Sequence, residues 1–155
     1  MTLADDRAGI TEVICRYGSA LDARDSAGVV ACFTDDVRLE YFNATVVANG
    51  LEQARAFFKF DGGGGLPGLD AIVSTTHLWS VGSIELRGDD ASVSTSCIAY
   101  LLGTVDGEGV LVTRGLRYLD EVRRSGDGWL ISHRRHIPEW EARCPAVIPS
   151  SAAPR

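Results

Sequence analysis

The chain is short of the features that announce a function at first sight. Among 155 residues it holds one lysine, Lys59, one methionine, Met1, and three histidines. Its 15 Lys and Arg are outnumbered by 21 Asp and Glu, for a formal net charge of −6. Nucleic acid is held by basic charge, so this balance excludes a general nucleic-acid binder. No apolar run approaches the roughly 20 residues that cross a bilayer as a helix, so no membrane association is expected. The opening Met1-Thr-Leu-Ala-Asp-Asp-Arg has neither a basic nor an apolar region, and a secretory leader is not expected. Cys15, Cys32, Cys97 and Cys144 form no C-x-x-C pair and match no zinc spacing, which predicts reduced thiols in a cytoplasmic protein. The glycine run at 61–70 lacks the Gly-Lys-Ser/Thr ending of a phosphate loop, and no Gly-x-Ser-x-Gly elbow occurs. These absences set aside phosphate-loop and nucleophilic acyl chemistry.

What remains is an ordinary globular composition, 45% hydrophobic and 23% charged. The length suits one domain with one core, expected over 1–144, with a Pro/Ser/Ala-rich tail at 145–155 expected to be disordered. Ile10, Val13, Ile14, Tyr17 and Leu21 recur at three- and four-residue steps, predicting a helix from about Asp5 to Ala23. Asp25 or Ser26 caps a second short helix. Thr34-Asp35-Asp36 reads as a turn. Two short strands follow, Val37–Tyr41 and Thr45–Ala48, with Asn43 between them, and then a helix over Leu51–Phe58. The 61–70 run is a loop, either a lid or a plain connection. Beyond it lie long strands over Ser74–Arg87, from Ala91 through Leu101, over Val110–Arg124, and from Trp129 to about Ile137. Alternation is clearest in Ala91, Val93, Thr95, Cys97, Ala99 and Leu101. Helices first and antiparallel strands after predict an α+β cone: a curved sheet, helices on one face, an apolar pocket at the open end.

Few side chains in this pattern can carry acid–base chemistry. Asp22 ends the first helix on the flank of its apolar stripe. His77 shares a strand face with Trp79 and Val81, so it points inward. Taken alone, His77 reads as a core histidine that needs a partner, and an Asp would fix its tautomer and raise its basicity. His133 and His136 lie three apart on a strand and point to opposite faces, so no metal site is expected. Arg134 and Arg135 are also opposed. One of them could face the pocket, with a surface ion pair to Glu121 or Glu139 as the plain alternative.

Several stretches together resemble a known family. They are Ile14-Cys-Arg-Tyr-Gly-Ser-Ala-Leu-Asp-Ala-Arg-Asp25, Cys32-Phe-Thr-Asp-Asp-Val37, the strand opened by His77, Thr113-Arg-Gly-Leu-Arg-Tyr-Leu-Asp120, and Gly126-Asp-Gly-Trp-Leu-Ile-Ser132. From about Ala8 to Trp140 the chain resembles the SnoaL-like branch of the NTF2-like superfamily, whose members include scytalone dehydratase, a hexachlorocyclohexane dehydrochlorinase and a bile-acid dehydratase. The resemblance implies an NTF2-like cone and a catalytic pair, His77 as general base and Asp22 orienting it. It also implies substrate contacts from Tyr17 and Tyr41. Two family positions are missing: near Ser96 and Cys97 no second histidine stands, and near Ala99 and Tyr100 no second acid.

The expectation is therefore a cofactor-free lyase or isomerase acting on a small apolar, polycyclic or polyketide-like substrate by dehydration, isomerisation or cyclisation. Asp22 and His77 are the catalytic candidates. Tyr17, Tyr41, Trp79, Cys97, Arg114 and Arg135 are expected to touch the substrate. An epoxide-opening enzyme would need a second pocket acid, such as Glu40 or Glu85. A non-catalytic binding module would bury His77 without an acid partner in a filled pocket. Ile98, Tyr100 and Leu102, opposite the Ala91/Val93 row, suit a homo-oligomer contact in a dimer or trimer.

Overall fold

A computed structural model describes residues 2–42, 44–60 and 68–150. Helix α1 (Leu3–Asp22) opens on a capping box: the Thr2 hydroxyl accepts from the Asp5 amide, and the Asp5 carboxylate accepts from the Thr2 amide. Its buried side is Ile10, Val13, Ile14, Tyr17, Gly18 and Ala20. The chain leaves the helix through Arg24 at φ +53°, a left-handed turn that usually falls to glycine. Asp25 then caps α2 (Ser26–Val30), its carboxylate accepting from the Gly28 amide. Strands β1 (Phe33–Tyr41) and β2 (Thr45–Asn49) precede α3 (Leu51–Phe57). Strands β3 (Ala71–Arg87), β4 (Asp90–Val105), β5 (Glu108–Ser125) and β6 (Gly128–Pro145) complete the chain.

The six strands form one sheet in the order β2-β1-β6-β5-β4-β3. Among the described residues only β1 and β6 run parallel; every other pairing is antiparallel. The architecture is α+β, three helices on one face of a curved, mostly antiparallel sheet that stays open. Helix α1 packs on β3 and β6, and α3 on β1 and β2. Under α1 the core holds Ala91, Val93, Val122 and Ile131. A second cluster, Cys97, Ala99, Leu101, Val112, Leu116 and Tyr118, lies farther along the long strands, and Trp79 touches both clusters. No helix among the described residues is long and apolar enough to cross a membrane.

Three expectations change. Thr34-Asp35-Asp36 is not a turn but part of β1. Phe33 pairs with Ile131 and Arg38 with His133, so five steps on β1 oppose two on β6, and the turn-forming residues are taken up as a bulge. The last strand runs to Pro145, well beyond Ile137. Its far half is exposed and carries no hydrophobic alternation, yet β5 offers partners along its whole length. The supposed tail begins one residue later, with the Ala146 amide still bonded to the Gly109 carbonyl. Asn43, most of the glycine run (61–67) and residues 151–155 fall outside the described residues.

Candidate active site

The edge strand β3 and the end of α1 bring the first two candidates together. Because β3 pairs only with β4, alternate amides of β3 have no strand partner. That of His77 donates to Asp22 Oδ2 at 2.8 Å. The Thr75 hydroxyl donates to Asp22 Oδ1 at 2.9 Å. The same oxygen lies 2.6 Å from His77 Nδ1. As the last helical residue, Asp22 sits at the negative end of the helix dipole, where a carboxylate is disfavoured by about 0.3–1 kcal/mol. Three donors offset that cost and fix the carboxylate in place. A carboxylate only accepts, so His77 Nδ1 carries a hydrogen, and in the neutral ring Nε2 then holds the lone pair. The His77 side chain is 9% exposed and that of Asp22 26%. Trp79 stacks against the imidazole with ring centroids 5.7 Å apart.

His77 stands on the wall of a mostly apolar cavity of about 330 Å³, which Tyr17, Tyr41, Ala99, Arg114 and His136 also line. Grooves of about 410 Å³ lie between α2 and α3 and on the outer sheet face, but neither contains His77 or Asp22. The Tyr17 and Tyr41 hydroxyls lie 3.0 Å apart. Burial raises both phenols above their ordinary range, which keeps them protonated. The His136 ring stacks on Tyr41 at 4.7 Å. Burial, with the Arg114 and Arg134 cations nearby, pushes its imidazole down to about 4. His136 is therefore neutral at pH 7 and offers one donor and one acceptor.

Residues 2–135 match the SnoaL-like domain family. The chain belongs to this family. No curated protein matches the sequence. Among solved structures it is similar to a scytalone dehydratase candidate from Novosphingobium aromaticivorans, at 18% identity and TM-score 0.72, covering 95% of this chain and 94% of that one. A type 2 hexachlorocyclohexane dehydrochlorinase aligns at 15% identity and TM-score 0.74, over 94% of each chain. A ketosteroid isomerase-like protein from Erwinia carotovora atroseptica aligns at 17% identity and TM-score 0.64, over 84% of this chain and 94% of that one. At such identities the likeness establishes the fold, and function has to be argued from the site.

Not every candidate of this SnoaL-like domain reaches the cavity. Asp22 stands behind His77. Trp79 and Cys97 are neighbours across β3 and β4, off the cavity wall. Burial and the nearby Asp22 charge push the Cys97 thiol up to about 12, which leaves it un-ionised. Arg135 lies on the opposite sheet face, 48% exposed and 3.7 Å from Glu40. Alternation counted from Trp129 and Ile131 would turn it inward. However, Glu121 pairs with His133 and Val122 with Ile131, so Ser132 is one residue extra, and the bulge reverses the faces of everything after it.

Arg134 and His136 turn inward instead; the sequence left Arg134 and Arg135 as alternatives, and it did not single out His136 as a cavity residue. Arg134 is not a surface ion-pair residue. It forms a bidentate pair with Asp120, both bonds 2.7 Å and both side chains 0% exposed, under the Tyr17 ring at 3.9 Å. Glu40 and Glu85 lie outside the cavity, beside His133 and Ser92 respectively, so neither is the second pocket acid that an epoxide-opening reading needs. Among the described residues, no three His, Cys, Asp or Glu side chains converge as metal ligands would.

Proposed function

We propose that this SnoaL-like protein is a cofactor-free lyase or isomerase in which His77 Nε2 removes a proton from an apolar substrate. The observation that carries this reading is the 2.6 Å contact between Asp22 Oδ1 and His77 Nδ1 at the wall of an open apolar cavity. Asp22 holds the base-competent tautomer and balances the imidazolium that forms, and the apolar walls strengthen that pairing. Dehydration, double-bond isomerisation and ring closure share this proton transfer. The dehydratase, dehydrochlorinase and isomerase among its fold neighbours are consistent with such chemistry. A packed binding module would leave His77 without an acid partner and the cavity filled, and the geometry runs against both.

General-base catalysis typically contributes about 10²- to 10⁴-fold. His77→Gln is expected to cost that much in kcat with little change in KM, a barrier increase of about 3–5 kcal/mol. Asp22→Asn keeps the shape but removes the charge, and is expected to slow turnover by at least tenfold. The assay is deuterium uptake at the acidic carbons of 1-tetralone in D₂O, followed by NMR. Uptake that His77→Gln leaves untouched would overturn the assignment.

A further inference from the structure

Three contacts hold the Asp22 carboxylate, and they are not equivalent. Two belong to His77 itself: its backbone amide donates to Oδ2 at 2.8 Å, and its Nδ1 lies 2.6 Å from Oδ1. The third is the Thr75 hydroxyl, which donates to Oδ1 at 2.9 Å. Among the described residues it is the one hydrogen bond to this carboxylate that does not come from the histidine. A carboxylate turns easily about the bond that carries it, so a single fixed oxygen leaves the other free to swing. The His77 amide fixes Oδ2 and the Thr75 hydroxyl fixes Oδ1, and together they set the plane in which Nδ1 finds its acceptor. The constraint matters at this place in the fold. Asp22 is the last residue of α1 and its side chain is 26% exposed, so water competes for its oxygens.

Strand alternation puts Thr75 in this position. Two residues before His77 on β3, it faces the same way and lines the same cavity, whereas Thr76 between them is exposed on the other face. Its branched side chain has few rotamers, which keeps the hydroxyl directed. Across the sheet His77 pairs with Ala99 of β4, and Ala99 with Arg114 of β5. Ala99 offers only a methyl group, so β4 supplies no side-chain hydrogen bond to the imidazole at that register position. The ring is oriented by Trp79, which stacks on it, and by Asp22.

We propose that Thr75 is a positioning residue of this site: its hydroxyl holds Asp22 Oδ1 against His77 Nδ1 and takes up part of that oxygen's charge. This rests on His77 being the base. When His77 Nε2 receives the substrate's proton, Asp22 balances the imidazolium charge, and a carboxylate already in place does so without reorganising. Because Oδ1 also accepts from Thr75, it binds the imidazolium less tightly than an unshared oxygen would, and the proton can be passed on. Thr75 itself exchanges no proton with the substrate.

The test sets two variants against each other. Thr75→Val keeps the branched shape and loses the hydroxyl; Thr75→Ser keeps the hydroxyl and loses the methyl. In tetralone exchange Thr75→Val is expected to lower kcat about 5- to 20-fold with KM within about twofold, and Thr75→Ser to stay within about twofold of the wild type. A packing role predicts the opposite order, so Thr75→Val no slower than Thr75→Ser overturns the proposal. In an Asp22→Ala background Thr75→Val is expected to add less than about twofold, because Thr75 acts through that carboxylate, and an undiminished loss overturns it. Thr76→Val on the outer face is the control and is expected to match the wild type. The ring ¹⁵N signals of His77, assigned by their absence in His77→Gln, read the same contact without turnover. At pH 7 they are expected to move in Thr75→Val and to hold in Thr75→Ser; signals unmoved in Thr75→Val overturn the proposal. Circular dichroism checks that each variant folds. Where Thr75→Val does not fold, Thr75→Ala takes its place against Thr75→Ser, the two differing by the hydroxyl alone. Moved signals with no exchange in the wild type remove the base and leave Thr75 holding Asp22. His77-dependent exchange indifferent to Thr75→Val keeps the base and removes Thr75.

Discussion

At the residue scale, two histidines share one cavity under opposite electrostatic conditions. His77 faces a carboxylate, whereas His136 faces cations and burial. Burial and the cations keep His136 neutral, and the carboxylate beside His77 suits it to the proposed role of base. It also has a consequence for stability. Folding lowers the His136 pKa from 6.5 to about 4. Between those values the unfolded chain binds a proton that the folded chain refuses, so stability falls as pH drops through this window. The loss approaches an amount on the order of 3 kcal/mol near pH 4. His136→Phe keeps an aromatic ring against Tyr41 and removes the titration. Urea midpoints at pH 7 and pH 4.5 are expected to differ less in this variant than in the wild type. An equal difference would show that His136 is not the group refusing the proton.

At the scale of elements, the site depends on how closely α1 lies on β3. A methyl group added at Gly18 would sit 2.3 Å from Trp79 Nε1, inside contact distance with a rigid indole. Trp79 in turn stacks on His77. Gly18→Ala is therefore expected to destabilise the fold by about 1–3 kcal/mol through overpacking and to slow tetralone exchange. Adding Trp79→Leu is expected to recover part of the stability, because the two changes share one contact. Thermal melts of the singles and the double check this; strictly additive losses would refute the contact. On the α3 side the cavity is lined by Phe57 and Phe58, whose rings contact Tyr41.

At the scale of the whole molecule, the buried Arg134–Asp120 pair joins β5 and β6 and carries the rings of Tyr17 from α1 and Tyr118 from β5. Helix, sheet and cavity wall meet at this one ion pair. Removing one partner leaves the other charge buried, so Arg134→Met is expected to cost about 3–5 kcal/mol. The double variant Arg134→Met with Asp120→Leu is expected to be far less damaging, since no charge is left unpaired. Chemical unfolding of both variants checks this. A double variant as unstable as the single would assign the loss to packing rather than to charge.

Much of the fold was legible in the sequence because its signals are local. The α1 stripe, the Asp25 cap and the alternation from Ala91 to Leu101 each depend on residues a few positions apart, and each forms as read. The resemblance singled out Asp22 and His77, 55 residues apart, and the structure brings them into contact. What the sequence could not decide turns on pairing between distant strands. Whether Arg134 or Arg135 enters the core depends on a one-residue bulge at Ser132, which exists only because β6 is registered against β5. The same reversal puts His136 in the cavity. The row from His77 over Ala99 to Arg114 likewise exists only once three strands are aligned. Local propensity wrote the elements of this protein; register between strands decided which side chains meet, because a shift of one residue exchanges the two faces of a strand.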